Sequence, residues 1–261
     1  MITRPIENVD RRVLGAFVCV DAITGNSVVP AIPVTAPDWT VKANRSGIYV
    51  IFNGPGFDSE TGDFIPSGTW PPIPATLEVS LQDPSLRYLP RRVKVKAPQP
   101  VPVYPPVPTP PTGVFAPQQV HVYPSPAGVI GSNWATIHAS VTLHGANPIK
   151  GLPWALLQVV QDSNSAILAT GQTDLNGEAL LAVVGLTVQA NTGGGGPVTI
   201  STVAATVTAY FDPSVLSQPT GWIPNPDDIL TNLSNPALKS SSQAVQLTSG
   251  QEMAMSFAIT V

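Results

Sequence analysis

The side chains that bind metals, attack carbonyls or move protons are few in this sequence. Its histidines are His121, His138 and His144. His138 and His144 share parity, but six residues of extended chain put them roughly 20 Å apart. They can share a metal only if the strand bends sharply. Cys19 is the single cysteine and lies in an apolar run, where a thiol is a poor nucleophile. No G-x-S-x-G occurs, and a Ser–His–Asp set is a matter of geometry for which no spacing argues here. Asp58, Glu60 and Asp63 cluster in one polar stretch and have the chemistry of a carboxylate pair or a calcium ligand set. A solvated loop explains them as well. Asp174, Asn176 and Glu178 match part of a calcium loop without its remaining ligands. Gly193-Gly194-Gly195-Gly196 runs into Pro197 rather than the Lys-Ser/Thr of a phosphate loop, and reads as a flexible turn. The expectation is a non-catalytic protein with no catalytic, cofactor or metal residues.

Charge excludes further partners. The net charge is −4, and only 11% of residues are charged, against a usual share of about 25%. An acidic, charge-poor chain gains little counterion release on a phosphate backbone, so nucleic acid is not an expected partner. The one basic cluster is Arg91, Arg92, Lys94 and Lys96, whose alternation places Arg92, Lys94 and Lys96 on one solvated strand face. No run of about 18 apolar residues is present, so no membrane-spanning helix is expected. The first residues, MITRPIENVDRR, lack an apolar h-region, so no signal peptide is expected. With one cysteine the fold cannot depend on an internal disulfide; synthesis and folding in a reducing cytoplasm are expected, with export by a route other than a signal peptide as the alternative.

The elements between these residues read as short strands. The chain holds 30 Pro and 21 Gly and has few of the charged helix formers that long helices need on exposed faces. Apolar or alternating runs predict strands at 13–20, 48–52, 75–81 and 92–96, with an edge strand near 28–34 broken by Pro30 and Pro33. Residues 53–74 read as a long loop. Residues 97–113 hold eight prolines and no charge, the composition of a semi-rigid polyproline II spacer. Beyond it, strands are predicted at 119–123, 134–143, 154–161, 166–171, 178–189, 198–211 and 244–261. Thr173 to Glu178 reads as a hairpin turn. Met253, Met255, Phe257, Ile259 and Val261 alternate with small or polar residues, the period of a half-buried strand. Asn225-Pro226-Asp227-Asp228 has the cap, first-turn proline and acids of a helix start, so one short helix is predicted near 226–233. The predicted organisation is a β-sandwich over 1–96, a proline-rich linker over 97–116 and a second β-sandwich over 117–261.

Residues 12–96 resemble the carboxypeptidase-regulatory-like, transthyretin-like modules. The carriers are Gly15-Ala16-Phe17-Val18-Cys19-Val20-Asp21 with Thr24-Gly25, then Ser46-Gly47-Ile48-Tyr49, then Tyr88-Leu89-Pro90. The loop over 53–74 departs from that compact pattern. Residues 138–185 are similar to a bacterial immunoglobulin-like repeat, through Asn147-Pro148-Ile149-Lys150-Gly151 and Thr173-Asp174-Leu175-Asn176-Gly177-Glu178-Ala179. These resemblances imply two immunoglobulin-like or transthyretin-like sandwiches, of a kind found in bacterial surface proteins and in phage-tail-like contractile injection particles. Fold analogy alone says little about function.

The function expected from these features is that of a structural subunit in a large assembly, most naturally a phage-tail-like contractile injection particle, with other protein subunits as partners. Phe57, Phe64, Ile65, Trp70 and Ile73 are large apolar side chains in the 53–74 loop and form the candidate interface. They serve equally well folded back over their own sandwich. The alternative is a cell-surface adhesin or carbohydrate-binding protein in which Trp70 and Trp222 stack on sugars.

Overall fold

A computed structural model describes residues 13–55, 75–97, 116–186, 188–189, 199–200 and 202–261. The candidate interface residues Phe57, Phe64, Ile65, Trp70 and Ile73 lie outside the described residues, and so does nearly all of the expected linker over 97–116. What is described is nearly all β, in several sheets, with one short α-helix. The chain divides into two compact units that interleave along the sequence. One comprises Met1–Val20, Ser27–Leu81 and Arg92–Val120; the other comprises Asp21–Asn26, Gln82–Arg91 and His121–Val261.

The strands that lie wholly or mostly in the first unit are β1 (Gly15–Asp21), β2 (Val34–Thr35), β3 (Thr40–Ala43), β4 (Ile48–Asn53), β5 (Ala75–Leu81), β6 (Arg91–Ala97) and β7 (Gln118–Val122). They form sheets in the orders β3-β4-β1-β7 and β2-β5-β6. The apolar run around Cys19 is buried on both faces, which is why β1 lacks alternation. Phe17 lies opposite Tyr49 in the antiparallel β1–β4 ladder, and their rings stack with centroids 4.6 Å apart. The Tyr49 hydroxyl donates to the Ile32 carbonyl at 2.7 Å, so its polar end is satisfied inside the core. Leu77, Val79 and Leu81 of β5 and Val93 and Val95 of β6 complete that core. Of the run broken by Pro30 and Pro33, only Val34 and Thr35 pair, at a sheet edge against β5. β3 carries no periodic signal, because its side chains are mostly exposed.

The second unit contains β8 (Ala135–Leu143), β9 (Leu156–Gln161), β10 (Ile167–Gln172), β11 (Glu178–Val183), β12 (Val188–Gln189), β13 (Thr199–Ile200), β14 (Thr202–Phe211), α1 (Asp227–Leu230), β15 (Lys239–Thr248) and β16 (Glu252–Ile259). Its main sheets run β10-β9-β14-β15 and β11-β8-β16. Alternate residues of both meet in one core: Ile137 and Val141, Leu157 and Val159, Val207 and Phe211, Phe257 and Ile259. This is a sandwich.

Several predicted elements take a different form here. The run over 244–261 is two strands, because Gly250 turns at φ +75° and sends β15 and β16 into opposite sheets. β16 then pairs parallel to β8. Phe257 and Ile259 are buried and Met253 and Met255 half-buried, whereas Val261 lies beyond the strand and is exposed. The turn over 174–177 joins β10 to β11 in different sheets, so it is an arch rather than a hairpin. Glycine is required within it at Gly177, at φ +82°, and against it at Gly151, where a Cβ would sit 1.8 Å from the Asn176 carbonyl oxygen. The run over 178–189 breaks after Val183, near Gly185 at φ +80°. The helix is a single turn, Asp227–Leu230, whose N-cap is Pro226 rather than the expected Asn225, and no side chain caps it; the Asn225 side-chain oxygen accepts from the Asp227 N–H at 3.3 Å just before the turn.

Candidate functional site

The site belongs to the second unit and begins with two aspartates that shape their own loops. Asp21 accepts from the N–H groups of Ile23 and Thr24 at 2.9 and 2.8 Å through one oxygen. Its other oxygen accepts from the Tyr88 hydroxyl at 2.8 Å. Burial, that hydrogen bond and the Asp21 charge all push the Tyr88 phenol up. Asp83 accepts from Ser85 N–H at 3.0 Å and from Arg87 Nε at 3.1 Å. Burial by itself would raise the Asp83 carboxyl, but these hydrogen bonds and the Arg87 charge outweigh it and hold the group below its usual range. The tight loop leaves Leu86 at φ +55° with its side chain 75% exposed.

Leu89 donates its N–H to the Tyr123 carbonyl at 2.8 Å, and its side chain joins Tyr123, Leu156 and Ile229 in a small second core. Arg91 is the largest fully buried side chain among the described residues. Its guanidinium donates to Asp227 Oδ2 at 2.6 Å, to Asn225 Oδ1 at 3.4 Å and to the His121 carbonyl. Asp227, at the start of α1, therefore pairs a cation that water does not reach. Burial also pushes the neighbouring Tyr123 phenol up to about 12, with Arg91 opposing and Asp227 reinforcing the shift.

Opposite this segment, the loop Leu152–Ala155 is latched by Thr173, which is fully buried. The Thr173 hydroxyl accepts from Ala155 N–H at 2.8 Å and donates to the Leu152 carbonyl at 2.9 Å. Between them Trp154 is held at φ +63°, a conformation that costs a bulky residue of order 1–3 kcal/mol.

These latched loops enclose two adjoining hollows of about 580 and 400 Å³ that share Gln82, Pro90, Trp154 and Leu175. Tyr88 and Leu86 line the first, and Trp222 with Pro219 lines the second. Leu86 and Leu175, which both line the first hollow, are 75% and 70% exposed. Asp174, Asn176 and Glu178 line the first hollow. Asp174 already accepts from Asn176 and Glu178 N–H groups at 2.8 and 3.0 Å, so its carboxylate is used in the arch. The chemistry available is shape, aromatic surface, amide hydrogen bonding and the Glu178 carboxylate.

Of the residues singled out by type, Trp222 lies in this cleft and Trp70 is outside the described residues. His138 Nε2 stands 2.8 Å from Glu252 Oε1 on β16 and is not part of the cleft lining. No group of three or more His, Cys, Asp or Glu among the described residues is placed to hold a metal. No described helix is long and apolar enough to cross a membrane. Arg91 was legible only as part of a basic cluster, yet it shares parity with Val93 and Val95. A cation on the apolar face of a strand is the signal of a buried partner. Leu86 and Trp154 gave no signal, because positive φ at a bulky residue is imposed by its surroundings.

No family model and no curated protein matches this sequence.

Proposed function

We propose that the protein is a non-catalytic structural subunit of a large protein assembly, of the phage-tail-like contractile kind, and that it receives a neighbouring subunit in the cleft of its second unit. The observation that carries this reading is the pair of exposed leucines, Leu86 and Leu175, that line one hollow together with Tyr88 and Trp154. Exposed apolar side chains beside a preformed hollow mark an interaction site. Buried latches at Thr173 and Arg91 fix its walls before a partner arrives, which lowers the ordering cost of binding. The charge-poor composition and the resemblance of both halves to modules of such particles support the same reading. Leu175→Asp tests it: the residue is exposed, so the fold should persist while co-purifying subunits are lost from particles isolated from the native cells. Full retention of those subunits overturns the reading.

Carbohydrate binding is the second reading, favoured by Trp222 and Tyr88 lying near Gln82, Gln218 and Asn176 in the same cleft. An aromatic face beside planar amides matches the apolar face and hydroxyl rim of a sugar. Glycan binding abolished by Trp222→Ala, with subunit binding unchanged, would select this reading over the first.

A further inference from the structure

β15 is a ten-residue strand at the edge of its sheet, and it pairs with β14 in unbroken register from Thr202↔Thr248 to Phe211↔Lys239. The direction of its backbone groups follows from β14. Ala204 accepts from the Asp162 N–H just beyond β9 at 3.1 Å, so the even-numbered residues of β14 face β9 and the odd-numbered ones face β15. Across the register, the odd-numbered residues of β15 are then the ones bonded to β14. Ser240, Ser242, Ala244 and Gln246 direct their N–H and C=O groups outward. Nothing among the described residues takes these groups up.

An open edge of this length normally carries a device against pairing: a charge, a bulge or a proline. Three other edges here have one. β10 has a register shift between Ile167 and Ala169, β3 has a shift at Thr40 and carries Lys42, and β6 presents Arg92, Lys94 and Lys96. β15 has no bulge and no proline, and its only charge is Lys239 at its first position. On the neighbouring strand, the Ser256 carbonyl is already capped by the Gln243 side chain at 2.5 Å. The outward groups of β15 are left for another chain.

We propose that β15 pairs with β15 of a second copy of this chain, antiparallel about a two-fold axis near Ala244, joining two four-stranded sheets into one of eight strands. A two-fold interface must be complementary to itself, and two uncharged strands meet that demand without like charges facing each other. The antiparallel arrangement sends the two Lys239 side chains to opposite ends, roughly 30 Å apart, whereas a parallel one would set them side by side. The proposal does not rest on the cleft.

The full chain is tested by sedimentation equilibrium over a wide concentration range, with Ala244→Pro and Ala244→Lys alongside. Proline removes an outward N–H without touching the β14 ladder, and lysine places two like charges across the axis. The wild type should show twice the mass of one chain, and both variants should fall to the mass of one with unchanged circular dichroism. Should the proline variant fail to fold, the lysine variant decides. A wild type that stays monomeric throughout, including one that pairs only with a strand of another protein, overturns the proposal, as does a dimer that survives in a folded variant. Leu175→Asp should leave the dimer intact, so failure here and failure at the cleft are distinguishable.

Discussion

Thr173 and Asp227 show how single polar atoms hold the cleft open. Thr173→Val keeps the shape of the side chain but strands Ala155 N–H and the Leu152 carbonyl in a buried site. A cost of about 2–3 kcal/mol is expected in urea unfolding, since each orphaned buried group costs about 1–3 kcal/mol. Asp227→Ala removes the partner of a fully buried Arg91. Because Asp227 itself is 45% exposed, the pair is worth less than a fully buried one, and a loss of about 2–3 kcal/mol is expected. The titrating groups set the pH limits. The Asp83 carboxyl is depressed, so its contribution is present above the ordinary value of 3.8 and disappears as pH falls through the lower folded value. Tyr123 is raised, so its contribution is present below 10.0 and is lost as pH rises towards about 12. Melting temperature followed across pH should therefore fall on both sides, and tyrosinate absorbance in the alkaline limb should appear together with unfolding. The Tyr123 share of that absorbance is isolated by difference from Tyr123→Phe, and a share that precedes unfolding would place Tyr123 in solvent.

At the scale of elements, alternation governs which strands could be foreseen. Phe257 lies fully buried on β16 between two sheets, and Phe257→Ala should cost about 3–5 kcal/mol, read as a shift of the unfolding midpoint at constant slope. A loss below about 1 kcal/mol would mean that the site collapses around the deletion or is completed by another chain. β16 was readable because its large residues recur at every second position. The break at Gly250 was less so, since β15 alternates among serine, glutamine and alanine and shows little hydrophobic contrast. Exposed edge strands such as β3 and β15 carry the weakest sequence signal for the same reason: their side chains meet water on most sides.

For the whole molecule, the second unit draws Asp21–Asn26 and Gln82–Arg91 from the N-terminal part of the chain. A fragment of residues 115–261 would retain both main sheets. It would lack Leu89 over Tyr123, Leu156 and Ile229, and it would lack the Arg91 partner of Asp227. The fragment should give a β-rich circular dichroism spectrum and a melting temperature several degrees below that of the same unit in the full chain. Equal melting would show that Gln82–Arg91 contributes nothing to stability.

The amino-acid sequence by itself determined the all-β class, the apolar run of β1, the alternating inward face of β16 and the single short helix after Pro226, because each depends on neighbours within a few residues. Proline at Pro30 and Pro33 likewise dictated an edge, since a missing N–H acts locally. The tertiary structure alone decided the cleft. Its walls come from Asp83, Trp154 and Trp222, residues distant in sequence whose packing exists only once the sheets have formed. Partner choice was also tertiary: Arg91 meets Asp227 across 136 residues, and no spacing rule reaches that far. Local propensity fixes which segments become strands, whereas burial, which depends on every other segment, fixes which polar atoms must find each other.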